Sequence, residues 1–316
     1  MTPVRVQAVT LKNTERARAE VTIETRSIRV LPGEFLKGEV IANTEETLEI
    51  KSAQLTLACV EETHISTRIP FISGDQGEKH STPPGRLSGA YQKSVIMERS
   101  SALCGEHTVS PPGARFPFEV ELPREALPSY SGRSATVGWW LDAKVIPVSG
   151  AEIVARNEVT ILPLAQTKPR RIVEGSKPDA PVGLELEVFK DVVEPGGEVE
   201  GRLTVTRLRA KPRRITVKLI AHEFAKARQT VGYQIDTRDV LLGTTELFGR
   251  ECLREGASQR FTLKVPDGIV TYVGENSSSR LLVKATAALR FRRDISLTSQ
   301  LQVGRLAEGW AEGSDR

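Results

Sequence analysis

Apolar and polar residues alternate with a period of two along most of this chain. Val137, Trp139, Leu141, Ala143 and Val145 interleave with Gly138, Trp140, Asp142, Lys144 and Ile146. Leu281, Val283, Ala285, Ala287, Leu289 and Phe291 interleave with Leu282, Lys284, Thr286, Ala288, Arg290 and Arg292. Successive strand side chains point to opposite faces, so each set predicts a long strand with one buried and one mostly polar face. Pro and Gly punctuate the pattern at short intervals, as turns between strands require. Helical signal is weak. Residues 221–242 hold some helix formers, but β-branched residues recur among them, and they read as a loop leading into a strand. No strand–helix–strand alternation appears, which argues against a doubly wound α/β fold. The pattern predicts an all-β chain of antiparallel β-sandwiches. Three segments, 73–90, 166–179 and 307–316, read as a polar loop, a linker and a polar tail.

The same landmarks then occur twice, in the same order. Pro32-Gly33-Glu34-Phe35-Leu36-Lys37-Gly38 is answered by Pro195-Gly196-Gly197-Glu198-Val199-Glu200-Gly201. Leu55, Leu57 and Cys59 alternate before Glu61, as Val217, Leu219 and Ala221 do before Glu223. Gly113-Ala114, leading to Leu122-Pro123, matches Gly256-Ala257, leading to Val265-Pro266. A Tyr-containing turn follows each, Ser129-Tyr130-Ser131-Gly132 or Thr271-Tyr272-Val273-Gly274. The period is too long for a solenoid unit and implies a duplicated domain. The expected organisation is one sandwich over residues 1–165, a linker over 166–179, a second sandwich over 180–305 and a tail over 306–316.

At 316 residues the chain is long enough for two cores. Its N-terminus does not resemble a signal peptide, and no apolar run reaches the length of a membrane span. Three cysteines, Cys59, Cys104 and Cys252, are too few and too scattered for a disulfide framework, so a cytoplasmic protein with reduced thiols is expected. The net charge of +4 is unevenly spread. Residues 1–165 carry 18 basic and 20 acidic side chains, whereas 176–305 carry 22 and 16. The basic second half suits an acidic partner, whether an anionic lipid surface or an acidic or phosphorylated peptide.

The repeated landmarks resemble the arrestin superfamily. Pro32 to Val40, Phe116 to Pro123, and the Ser/Tyr turn before a long strand resemble an arrestin N-terminal domain, and the second copy resembles the C-terminal domain. Ser129-Tyr130-Ser131-Gly132 before Trp139-Trp140-Leu141 is also similar to the vacuolar protein sorting branch, and the bacterial sporulation-control branch shares the fold. The residues leave the branch open. The resemblance implies two tandem antiparallel immunoglobulin-like β-sandwiches in a non-enzymatic adaptor or scaffold. Its partners would be proteins, such as the cytosolic tails of membrane proteins.

Residue chemistry adds little to suggest catalysis. His64, His80, His107 and His222 are far apart and have no Cys or His at metal-ligand spacing, so no metal and no cofactor is expected. Walker, Gly-x-Gly-x-x-Gly and Gly-x-Ser-x-Gly motifs are absent. Cys104 and His107 make a thin nucleophile–base pair without an orienting acid. Partner-binding candidates are the outward-facing Trp140, the basic residues Lys284, Arg290, Arg292 and Arg293, and Arg213 and Arg214 in the turn near them. Linker residues Lys168, Arg170 and Arg171 read as a solvated hinge. A partner strand adding to an open sheet edge would need no motif at all. The alternative function is a peripheral membrane protein docking on anionic phospholipid through the basic half. Nucleic acid is not expected, because the basic residues are not interleaved with aromatics.

Overall fold

The computed structural model describes residues 19–68, 87–230, 232–249 and 252–306. Among these residues the chain forms strands and no helix. The first half holds β1 (Ala19–Thr25), β2 (Arg29–Val30), β3 (Phe35–Thr44), β4 (Leu48–Arg68), β5 (Leu87–Cys104), β6 (His107–Val109), β7 (Gly113–Glu121), β8 (Tyr130–Ser131), β9 (Ala135–Pro147) and β10 (Ile153–Ile161). The second half holds β11 (Ile172–Gly175), β12 (Val182–Val188), β13 (Val192–Val193), β14 (Glu198–Leu208), β15 (Arg214–Arg228), β16 (Tyr233–Leu247), β17 (Ser258–Lys264), β18 (Tyr272–Val273), β19 (Ser277–Ala288) and β20 (Ile295–Val303).

These strands make four sheets, ordered β1-β3-β7 and β2-β10-β9-β4-β5 in the first half, and β11-β12-β14-β17 and β13-β20-β19-β15-β16 in the second. Apart from the added β6 and β11, the two halves repeat one strand order. Pairing is antiparallel except where the two-residue strands β2 and β13 run parallel to β10 and β20.

In each half the two sheets bury a common apolar layer, which makes the fold sandwich-like. In the first, Ile23, Leu36, Phe116 and Phe118 of the smaller sheet meet Leu55, Leu57, Trp139 and Leu141 of the larger. In the second, Leu184, Leu186, Leu203 and Phe261 meet Val217, Leu219, Leu281 and Val283. The alternation in the sequence places these side chains on the inner faces. Trp139 is fully buried, and its indole N–H donates to Leu127 O at 2.8 Å.

The repeated Pro-to-Gly motif has a physical cause. A Cβ at Gly38 would strike Glu24 O on β1 and the Phe118 ring on β7, and one at Gly201 would strike Glu187 O and the Phe261 ring. In both halves a phenylalanine ring occupies the space beside the central strand's backbone that a side chain would need, so only glycine fits.

Four expectations are corrected. Residues 221–228 are strand, not loop. Ala225 and Ala227 are completely buried and β15 is paired on both sides, so tertiary pairing overrides helix propensity. The late strand stops at Ala288, which puts Arg290 and Arg292 in a turn. There the Leu289 N–H donates to the Asp294 carboxylate at 3.0 Å, and Phe291 has a φ of 58°, which a strand does not allow. Within the segment expected to link the halves, Ile172-Val173 begins β11, which pairs with β12. Residues 87–90, assigned to the polar loop, already belong to β5; the rest of that loop, His80 and the tail 307–316 lie outside the described residues.

Candidate functional site

The halves meet where β4 and β15 run on beyond their own sandwiches. The series Leu55, Leu57, Cys59 continues on the same face to Glu61, and Val217, Leu219, Ala221 continues to Glu223. Each glutamate therefore arrives on the buried face of a strand and needs hydrogen-bond donors there. The other half supplies them. Glu61 accepts from Asn276 N (2.8 Å), Ser277 N (2.9 Å) and Ser277 Oγ (2.6 Å). Glu223 accepts from Tyr130 OH (2.7 Å), Arg133 N (3.1 Å) and Ser134 N (2.6 Å).

The arrangement is reciprocal. Glu61 pairs in register with Val137, which pairs with Tyr130; Glu223 pairs with Ser279, which pairs with Tyr272. Each carboxylate thus grips the tyrosine turn of the opposite half. A Cβ on Gly132 would collide with Glu223, and one on Gly274 with Glu61, so both turns need glycine for the carboxylate to approach. The rings of Tyr130 and Tyr272 meet at 4.9 Å. Burial, then the Glu223 carboxylate, raises the Tyr130 phenol above its ordinary range, and burial does the same to Tyr272. Both stay protonated at neutral pH, so Tyr130 donates to Glu223.

Around this centre Thr63 Oγ1 donates to Lys226 O (2.9 Å), and Arg228 N donates to the Gln92 side chain (3.0 Å). Ile65, Ala90, Ala135, Ala225 and Ala227 form a small apolar cluster beside it. The connecting segment is tied down by a bridge between Leu164 and Arg305. Arg170 pairs with Asp191 at 2.8 Å and Arg171 with Glu187, so these residues are structural pairs and not a free hinge. A cleft of about 560 Å³ beside this segment is lined by Leu127, Gln166, Arg170, Asp191, Tyr272 and Arg280, among others.

The sequence-predicted residues fall into two places. Trp140 is half-buried on the outer face of β9, its ring over Gly138 and the Arg156 guanidinium 5.9 Å away. It faces away from the carboxylate centre and belongs to a different half from the arginines. Lys284 lies mid-strand on β19, opposite Lys218. Arg213 and Arg214 are brought beside Arg290, Arg292 and Arg293, because Arg213 N donates to Ala288 O (2.7 Å) just before the second turn. The Cys104–His107 pair gains no support. Burial raises the Cys104 thiol above its ordinary range, and the His107 ring lies edge-on to Phe116 at 6.2 Å. Among the described residues no three His, Cys, Asp or Glu side chains group to hold a metal.

The outermost strand of the larger second-half sheet is β16. Among the described residues nothing pairs with its outer side. Tyr233 (59 %), Ile235 (59 %), Val240 (41 %) and Leu241 (55 %) are exposed on it. Tyr233 sits under the Lys226 ammonium at 5.1 Å, and Asp239 meets His222 at 2.6 Å on the same face. These four exposed apolar side chains share the edge strand with the charged Arg238, Asp239 and Glu246, which are also exposed.

Comparison with known proteins finds no family model that matches the chain and no matching curated protein.

Proposed function

We propose that this chain is a non-enzymatic adaptor of arrestin-like architecture, two tandem immunoglobulin-like sandwiches acting in the cytoplasm as one platform for a protein partner. An extended segment of that partner, such as the cytosolic tail of a membrane protein, adds to the edge of β16. The backbone supplies hydrogen bonds, and Tyr233, Ile235 and Leu241 supply apolar contact on one face. The observation that carries this reading is the unpaired edge of a fifteen-residue strand on which Tyr233, Ile235, Val240 and Leu241 are exposed. The reciprocal glutamate–tyrosine centre supports it by fixing the two halves, so that an edge on one half is presented in a constant direction.

The test is affinity purification from the native cell with the intact chain and with Ile235→Lys and Leu241→Lys. Both positions are exposed, so the variants should melt within a few degrees of the parent. Each should weaken capture of the partner by about 30-fold, the cost of losing an interface anchor of roughly 2 kcal/mol. Undiminished capture by both variants, or robust turnover of a substrate by the purified chain, overturns the reading.

A further inference from the structure

The end of the second half farthest from the tyrosine turns has a different chemistry. From Ala225 at the junction, β15 runs back eleven residues to Arg214, about 36 Å at strand rise. Two turns lie side by side there, held by the pairing of Arg214 with Ala288. The first, between β14 and β15, carries Arg209, Lys211 and Arg213, and Arg214 opens β15 beside them, all exposed. The second, between β19 and β20, carries Arg290, Arg292 and Arg293, also exposed. One carboxylate lies within these turns, Asp294, and it is occupied by Leu289 N–H. Glu246 and Glu255 border the tip, the latter receiving the Leu208 N–H at 3.3 Å.

Phe291 stands at the centre of this cluster and is 95 % exposed. It is the most exposed of the large apolar side chains described. Its backbone sits in the left-handed region, which bulky residues rarely occupy, so the turn holds it outward at some conformational cost. The buried Leu289 anchors the base of the turn, and the Arg290 guanidinium lies 5.4 Å from the Phe291 ring.

The duplication provides an internal control. The equivalent turns of the first half are Glu45-Glu46-Thr47, between β3 and β4, and Val148-Ser149-Gly150-Ala151-Glu152, between β9 and β10. The same scaffold there carries three carboxylates and no cation, so the fold does not require the arginines or the phenylalanine.

We infer that this tip docks on an anionic membrane surface, with Phe291 entering the boundary between headgroups and acyl chains and the flanking arginines pairing with lipid phosphates. A ring that projects almost fully exposed from a turn suits insertion into a fluid layer, whereas a peptide ligand calls for a groove or a free strand edge. Arginine is the suited cation, because its planar fork binds phosphate oxygens in pairs. The inference is independent of the β16 edge, and the two can fail separately.

The experiment is sedimentation of the full chain with phosphatidylcholine vesicles, with and without phosphatidylglycerol, across a salt series. Binding should require phosphatidylglycerol and fade as salt rises. Each arginine near an anionic surface is worth about fivefold, so the triple change Arg290→Gln, Arg292→Gln and Arg293→Gln should weaken binding by on the order of 100-fold. Phe291→Ser should weaken it by about tenfold through lost apolar burial. Phe291→Trp should give fluorescence that brominated acyl chains quench, above the background of the native tryptophans, while Ile235→Lys leaves vesicle binding unchanged. Equal binding to neutral vesicles, no loss in the triple variant, or an unquenched Trp overturns the inference. Capture of polyglutamate through the same arginines without vesicle binding would make the tip a site for acidic peptides instead.

Discussion

At the scale of single residues, the most informative side chains are buried groups that keep one protonation state. Cys59 lies on the inner face of β4, and burial, followed by the nearby Glu61 charge, pushes its thiol up to about 12 from 9.0. The folded chain holds this proton more tightly than the unfolded chain, so the associated stability is fully present below pH 9 and is lost as pH rises towards about 12. Chemical denaturation should show stability declining over that interval, with the partly buried Tyr130 and the buried Tyr272 phenols adding to the loss at its upper end; a flat profile would contradict the assignment. In the native protein at pH 8, a thiol reagent should label the exposed Cys252 quickly and Cys59 only after unfolding, as peptide mapping would reveal. The glutamates were legible in part. Each continues an apolar alternation and so marks a carboxylate on a buried face, but strand pattern says nothing about donors 215 residues away in sequence, as for Glu61, or 93 away, as for Glu223.

At the scale of elements, period two made most strands readable, and the exceptions have physical causes. The run His222-Glu223-Phe224-Ala225-Lys226-Ala227-Arg228 looks permissive for a helix because its alanines are small. Those alanines are small because the other half presses on them. Arg290 to Arg292 read as strand because they still alternate, and it is Asp294 accepting the Leu289 N–H that ends the pairing. The twin Pro-to-Gly motifs were legible as repeats, but their reason, a phenylalanine ring beside the backbone, appears only when β7 and β17 are in place. Gly38→Ala or Gly201→Ala forces that ring or the adjacent carbonyl to move, and each should cost about 1–3 kcal/mol, the range for overpacking. Thermal melting would show it, and an unshifted midpoint at both sites would contradict the geometry.

At the scale of the whole molecule, the two halves are joined by a reciprocal polar centre and not by a large apolar face. Glu61→Gln replaces an acceptor with a group that opposes N–H donors, and Tyr130→Phe leaves Glu223 short of one donor. Each should destabilise by roughly 1–3 kcal/mol. Because the centre couples the halves, calorimetry of the parent should give a single transition, and a Glu61→Gln/Glu223→Gln double variant should resolve into two. A single cooperative transition in the double variant would show that the connecting segment and the small apolar cluster suffice to hold the halves together.

The reciprocity of the glutamates has a consequence for ancestry. Each half carries both a carboxylate that grips and a tyrosine turn that is gripped, so each is complementary to something built like itself. A single-sandwich ancestor with one glutamate and one such turn would have possessed a self-complementary patch, able to associate two copies about a twofold axis. Fusion of the duplicated genes would then have made that association internal, and freed the two ends of the molecule to diverge in charge.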